Sequence, residues 1–265
     1  MSERPDVQHR VEFSIELPAS ADDVWHAIAT GDGVTSWFLP HEIEGRVGGR
    51  FVVHMGETDS VGKVTGWEPP RRFAYEEDWA TLIGRPGAEV TPLATEFLVE
   101  ARSGGTCVVR VVSSAFGSGA DWENEFFDEM LRYWQPFFEL LRVYVTRFPG
   151  QVATTRTVAR DVDAPAATVA RAIAGNLGVT EVGQSFDALG LSGSVLRVGE
   201  PYVMVDVDGP APGYACVAAL NNGERTIVQV GAWLFGDGAG RALDDAEPQW
   251  QTWLDELAIP EAAKR

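Results

Sequence analysis

The sequence predicts an α+β fold in which a long helix lies across a curved antiparallel sheet, laid down as two tandem lobes. Three observations carry that expectation. Residues 121–148, DWENEFFDEMLRYWQPFFELLRVYVTRF, set Trp122, Phe126, Met130, Trp134, Phe138, Leu141 and Val145 at three- and four-residue spacings. Those are the spacings of one side of a helix. The stretch before it reads as strands joined by tight turns, a surface that a helix of this length could cover. After residue 150 the same order of features returns in shorter form.

Taken in order, residues 11–17 (VEFSIEL) alternate, with Val11, Phe13, Ile15 and Leu17 on one face, so they form a half-buried strand that Pro18 ends. Ser20 is placed to cap a helix whose first turn carries Asp22 and Asp23 and whose apolar side is Val24, Trp25, Ala27 and Ile28. Gly31 and Gly33 are expected to break the chain, and residues 34–39, with Trp37 and Phe38, to form a short second helix or turn. Hairpins follow. A short strand at 41–44 leads through Gly45, Gly48 and Gly49 to 50–55, where Phe51, Val53 and Met55 share a face. Residues 63–67 and 72–77 pair across Glu68-Pro69-Pro70, with Phe73 and Tyr75 pointing one way, and 95–101 and 106–116 flank Ser103-Gly104-Gly105. In the long helix, Asp121, Glu123, Glu125, Asp128 and Glu129 crowd the start and Arg142 and Arg147 the end, which complements its dipole. Pro136 is expected to kink it.

The repeat sets the domain organisation. Val24, Ala27, Ile28 and Ala29 return as Val169, Ala172, Ile173 and Ala174, FGSG (116–119) as FGDG (235–238), and Trp134-Gln135 as Trp250-Gln251. Ordered matches of this kind point to an internal duplication, with lobes at 1–149 and 150–265. The second is shorter and poorer in aromatics, and its last helix is expected at about residues 247–257.

Composition narrows the function classes. A formal net charge of −18 over 265 residues opposes sequence-independent binding to nucleic acid and adsorption to anionic lipid. No apolar run is long enough for membrane insertion, and the N-terminus lacks an apolar signal core, so a cytoplasmic location is expected. Cys107 and Cys216 then read as buried free thiols rather than a disulfide. His9, His26, His41 and His54 show no paired spacing, which argues against a metal site. There is no phosphate loop or nucleophile elbow, and no cofactor is implied.

ELPASADDVWHAIATGDGVTSWF, the glycine-led strand GGRFVVHM, GKVTGWEPPRRFAYEEDW and a tryptophan-bearing last helix together resemble the START-like (SRPBCC, Bet v 1-like) superfamily, in its branch related to the activator of the heat-shock-protein-ninety ATPase. The resemblance spans about residues 11–148. It implies a helix-grip fold that often encloses an apolar cavity, and binding of lipids, polyketides or other hydrophobic molecules, with some members acting as cyclases or aromatases. A hydrophobic small molecule is thus the expected partner. A protein-partner-binding regulatory module, as in the ATPase-activator branch, is the rival reading. The separate N-terminal domain of the eukaryotic activators has no counterpart here, so that activity transfers poorly. Oligomeric state is left open.

The candidate cavity lining is Trp37, Phe51, Val53, Met55, Phe73, Tyr75 and Phe97 from the sheet side and Phe126, Met130 and Trp134 from the helix, with Trp67 and Trp79 near the rim. These aromatics either line a pocket for a ligand or fill the core themselves. Tyr75 is the candidate polar handle. If Phe73 and Tyr75 face inward, Glu77 does too, where desolvation would suit it to acid–base work; otherwise Glu76-Glu77-Asp78 merely ends a strand in solvent. Tyr75 and Glu77 are accordingly the catalytic candidates of a cyclase-like enzyme.

Overall fold

The computed structural model describes residues 7–55, 58–82, 85, 87–222 and 225–259, with the side chains of Met55, Thr58, Leu82, Leu131, Arg132, Tyr133, Gln135, Pro136 and Asn222 outside that description. The expectations for Met55 and for the side chain of Pro136 therefore fall outside the described residues. The chain divides into two compact units, meeting between Val152 and Ala153.

The first unit runs β1 (Val7–Leu17), α1 (Ala21–Ala29), α2 (Gly31–Thr35), β2 (His41–Ile43), β3 (Arg50–Met55), β4 (Thr58–Glu68), β5 (Arg72–Glu77), α3 (Trp79–Leu82), β6 (Leu93–Ala101), β7 (Cys107–Gly117) and α4 (Asp121–Arg147). Its sheet has seven strands in the order β1-β7-β6-β5-β4-β3-β2. Every pairing is antiparallel. The first strand returns to pair with the last, and the rest is a meander. On the covered face Val11 of β1 and Val109 and Val111 of β7 are buried, while Glu12, Glu16 and Arg110 face outward. That alternation is what one covered sheet face requires.

α4 covers that face: Phe138 meets Phe13 of β1 with ring centroids 4.5 Å apart, and Phe127 stacks on His9 of β1 at 5.1 Å. The buried seam of α4 departs from the expected stripe. It begins at Glu123 and Phe127, continues through Met130 and Phe138 to Leu141 and Val145, and leaves Trp122 and Phe126 half-buried. The reason is helical period: each four-residue step overshoots a full turn by about 40°, so a stripe of repeated fours drifts round the helix. α4 runs unbroken past Pro136, whose ring nitrogen has no hydrogen to donate to the Arg132 carbonyl.

Gly31 and Gly33 begin α2 instead of breaking the chain. Thr30 caps it by accepting from the Gly33 N–H at 3.0 Å, and a Cβ on Gly33 would lie 2.0 Å from the His26 carbonyl oxygen. The glycine permits close approach to α1.

The second unit repeats the plan with one strand fewer: β8 (Thr154–Val162), α5 (Ala166–Asn176), β9 (Ser185–Ala188), β10 (Leu191–Arg197), β11 (Tyr202–Gly209), β12 (Gly213–Asn222), β13 (Arg225–Leu234) and α6 (Ala239–Glu256). Its strand order, β8-β13-β12-β11-β10-β9, again pairs first with last. Val169, Ala172 and Ile173 are buried on α5 as Val24, Ala27 and Ile28 are on α1. α6 starts eight residues before the expected 247. Ala239, Ala242, Leu243 and Ala246 extend the buried side of Trp250 and Leu254 backward to Gly238, and the helix accommodates Pro248. No described helix is long and apolar enough to cross a membrane.

Candidate ligand site on the inner face of the first sheet

Two kinds of side chain share the inner face of the first sheet. The aromatic set sits on β3, β4, β5 and β6. Phe51 stacks on Tyr75 with centroids 3.8 Å apart, Phe73 lies 5.6 Å from Tyr75 and 6.2 Å from Phe97, and Trp67 meets Phe73 edge-on at 5.8 Å. Trp67 is only half-buried and also packs on Trp25 of α1.

The polar set crosses the same face. Tyr75, Thr95 and Ser113 occupy one register row of β5, β6 and β7, and the Thr95 and Ser113 hydroxyls are 2.9 Å apart. One step along β5, Glu77 is 7% exposed, and Ser60 of β4 donates to its Oε2 at 2.5 Å. Among the described residues Ser60 is the hydrogen-bond partner of this carboxyl. Alternation along β5 places Glu77 inward, in phase with Phe73 and Tyr75, as anticipated. Burial raises its pKa above the usual carboxylate range, with the Ser60 hydrogen bond opposing. Burial likewise pushes the Tyr75 phenol well above its ordinary value, the neighbouring Glu77 adds to this, and the Thr95 hydroxyl partly offsets it. The face thus presents a phenol and a carboxyl biased toward its acid form, each able to donate a hydrogen bond in an apolar setting.

The remaining expected lining residues fall into two other groups. Trp79 is buried in α3 rather than near the rim: its Nε1 donates to the Thr91 carbonyl at 2.9 Å, and its ring packs on Phe126 at 4.5 Å and Trp122 at 5.3 Å. Met130 joins that cluster with Leu93 and Phe127. Trp37 is buried with its Nε1 donating to the Ala27 carbonyl at 2.8 Å, which makes it an anchor for α1. It packs on Phe38 and Phe138, and Phe38 in turn meets Trp134 at 5.4 Å. Val53 is buried on β3.

Sequence reasoning did not single out Ser60, Thr95 or Ser113, although the period-two phase that places Glu77 inward also places Thr95 with Phe97 and Ser113 with Val111. It also passed over a buried pair at the start of α4. His9 Nε2 lies 2.8 Å from Glu123 Oε2, and Glu123 also accepts from the Ser118 hydroxyl and from the Ser118 and Gly119 backbone N–H groups. Desolvation would raise this carboxyl, but the bonds from Gly119, Ser118 and His9 together hold it below its ordinary value. Glu123 lies among acidic neighbours that face solvent, so the sequence carries no signal of its burial.

Residues 8–139 match the family model described as polyketide cyclase / dehydrase and lipid transport, which is of the START-like (SRPBCC) type. The first unit belongs to this family. In both units the first strand pairs with the last and a long helix follows, the helix-grip arrangement. Among solved structures, a Mesorhizobium loti protein is 18% identical with a TM-score of 0.46, over 53% of this chain and 98% of its own. The di-domain ARO/CYC protein BexL, from the BE-7585A biosynthetic pathway, is 15% identical with a TM-score of 0.46, over 95% of this chain and all (100%) of its own. The Aha1 dimer from Colwellia psychrerythraea is 18% identical with a TM-score of 0.42, over 54% of this chain and 99% of its own. A comparison with curated proteins returned no match.

Proposed function

We propose that the first unit binds a hydrophobic, polyketide-like or aromatic molecule against the inner face of its sheet, with Tyr75 and Glu77 orienting the ligand's oxygen atoms. The observation that carries this reading is the buried polar set Ser60, Glu77, Tyr75, Thr95 and Ser113 on the face that also carries Phe51, Phe73 and Phe97. A core that only packs is better served by apolar residues, because each buried polar group costs free energy unless it is hydrogen-bonded. A few placed donors in an apolar lining are what a hydrophobic ligand with carbonyl or hydroxyl groups requires. The family match over residues 8–139 supports the same class of ligand.

A second reading, cyclase-type catalysis, is favoured by the raised pKa of Glu77. A carboxyl that keeps its proton nearer neutrality can protonate a carbonyl oxygen as a bond to its carbon forms, and can take a proton back afterward.

Native mass spectrometry of the protein from its own host tests the binding reading. An added mass that disappears on denaturation is expected, and Glu77→Gln and Tyr75→Phe should each weaken rebinding of the extracted molecule about fivefold or more by loss of one buried hydrogen bond. Bare protein that also fails to bind planar aromatic molecules in calorimetry would reduce the interior to a core.

A further inference from the structure

His41 has no part in the site as described so far. It opens the edge strand β2 directly opposite Val53 of β3. Antiparallel partners share a face, so its ring lies on the inner face with Phe51 and Val53. Backbone and ring are both held. Its N–H donates to Thr35 Oγ1 at 2.9 Å, and its ring lies 5.8 Å from Phe38 and 5.5 Å from Phe51, the residue that stacks on Tyr75.

The ring has a defined hydrogen-bonding sense. Its Nδ1 is 2.7 Å from the Leu39 carbonyl oxygen. A carbonyl only accepts, so Nδ1 carries the hydrogen, and in the neutral ring Nε2 keeps a lone pair. Burial among the rings brings the pKa down to about 4, helped by the nearby His54 and opposed by the Leu39 bond, so the ring is neutral at physiological pH. Among the described residues Nε2 has no hydrogen-bond partner, and it is not one of the buried polar atoms shut off from solvent. An oriented acceptor thus stands open beside aromatic rings on the face where Tyr75 and Glu77 supply donors.

We infer that His41 Nε2 accepts a hydrogen bond from a phenolic or enolic hydroxyl of the bound molecule, and so selects hydrophobic ligands that carry a donor at the β2 edge of the sheet. This rests on the ligand-binding reading above. With Tyr75 and Glu77 as donors to carbonyl oxygens, it defines the ligand class as planar molecules bearing both a carbonyl and a hydroxyl.

Calorimetry on the full chain with 1-naphthol and its methyl ether, 1-methoxynaphthalene, tests it. The wild type should favour the naphthol, His41→Phe should lower the naphthol-to-ether affinity ratio about fivefold to tenfold while leaving ether binding in place, and His41→Gln, which can present an acceptor oxygen, should recover part of the ratio. Should His41→Phe fail to fold, nitrogen-15 spectra of the wild type decide the matter: the His41 Nε2 resonance should move on adding naphthol and stay put with the ether. Equal weakening of both probes, an unchanged ratio, or a resonance indifferent to the hydroxyl overturns the role of His41 alone. Failure of both probes to bind the wild type overturns the ligand-binding reading itself.

Discussion

Glu77 and His41 face the same interior, and burial favours the neutral form of both, with opposite consequences for pH. The native state holds the Glu77 proton more tightly than the unfolded chain does, so its contribution to stability is present below pH 4.5 and is lost as pH rises through the folded-state value. Glu77→Gln should therefore gain in urea midpoint over the wild type as pH increases from 4.5 toward 8. A gap that stays constant over that range would show that the carboxyl is not perturbed. His41 works the other way. Its folded pKa, about 4, lies below the ordinary 6.5, so stability present above pH 6.5 is lost as pH falls toward 4. His41→Phe should lose less stability than the wild type over that interval in the same titration, and parallel curves would count against a buried neutral ring. Period-two alternation put Glu77 in phase with Tyr75 before the structure, and only the fold decided that both are buried. The environment of His41 was not legible, because the rings that desolvate it come from α2's exit and β3, and only folding brings them together.

At the scale of elements, the join between β7 and α4 turns on one carboxylate. Ala120, at the cap position of α4, offers no side-chain cap, and Glu123 in the first turn reaches back to accept the Ser118 and Gly119 N–H groups of the turn that precedes it. It also ties α4 to β1 through His9. Glu123→Ala should cost about 2–4 kcal/mol in chemical denaturation, from the lost cap and the stranded buried imidazole. Gly117 explains part of the FGSG signature: a Cβ there would lie 2.2 Å from Glu123 Oε2. Gly117→Ala should thus destabilise by displacing that carboxylate. The double variant Gly117→Ala/Glu123→Ala should lose less than the sum of the two, since the clash and the cap share one partner. Strict additivity would mean that the glycine serves something else.

At the scale of the whole molecule, the two units share a strand order and differ in what they enclose. The hydrophobic core of the second unit is made of aliphatic side chains with Phe186 and Trp250. Its buried Thr226 donates to the Ala164 carbonyl, and Trp250, fully buried, donates to the Leu189 carbonyl at 2.8 Å. Among the described residues, the first unit instead buries His9, Ser36, Ser60, Glu77, Thr95, Ser113 and Glu123. A planar aromatic probe should bind with a stoichiometry of one per chain in calorimetry, and two equivalent sites would refute this division of labour. Trp250→Ala should cost about 3–5 kcal/mol while leaving probe affinity within twofold, because it removes core packing and the bond to Leu189 within the second unit alone.

By itself the sequence determined the element plan: alternating strands, a helix with an aromatic stripe, and the return of VxxAI, FGxG and WQ in one order are local patterns, set by periods of two and 3.6. Alternation along one strand also put Glu77 in phase with Tyr75, but left open whether that end of β5 is buried or in solvent. The tertiary structure decided what local rules cannot. Thr95 beside Ser113, Ser60 on Glu77 and Glu123 beneath His9 are partnerships between residues on different elements, and His41 gains its ring neighbours only where β2 pairs with β3. Desolvation and hydrogen bonding, the two effects that turn an ordinary carboxyl or imidazole into a functional one, arise only when such partners meet.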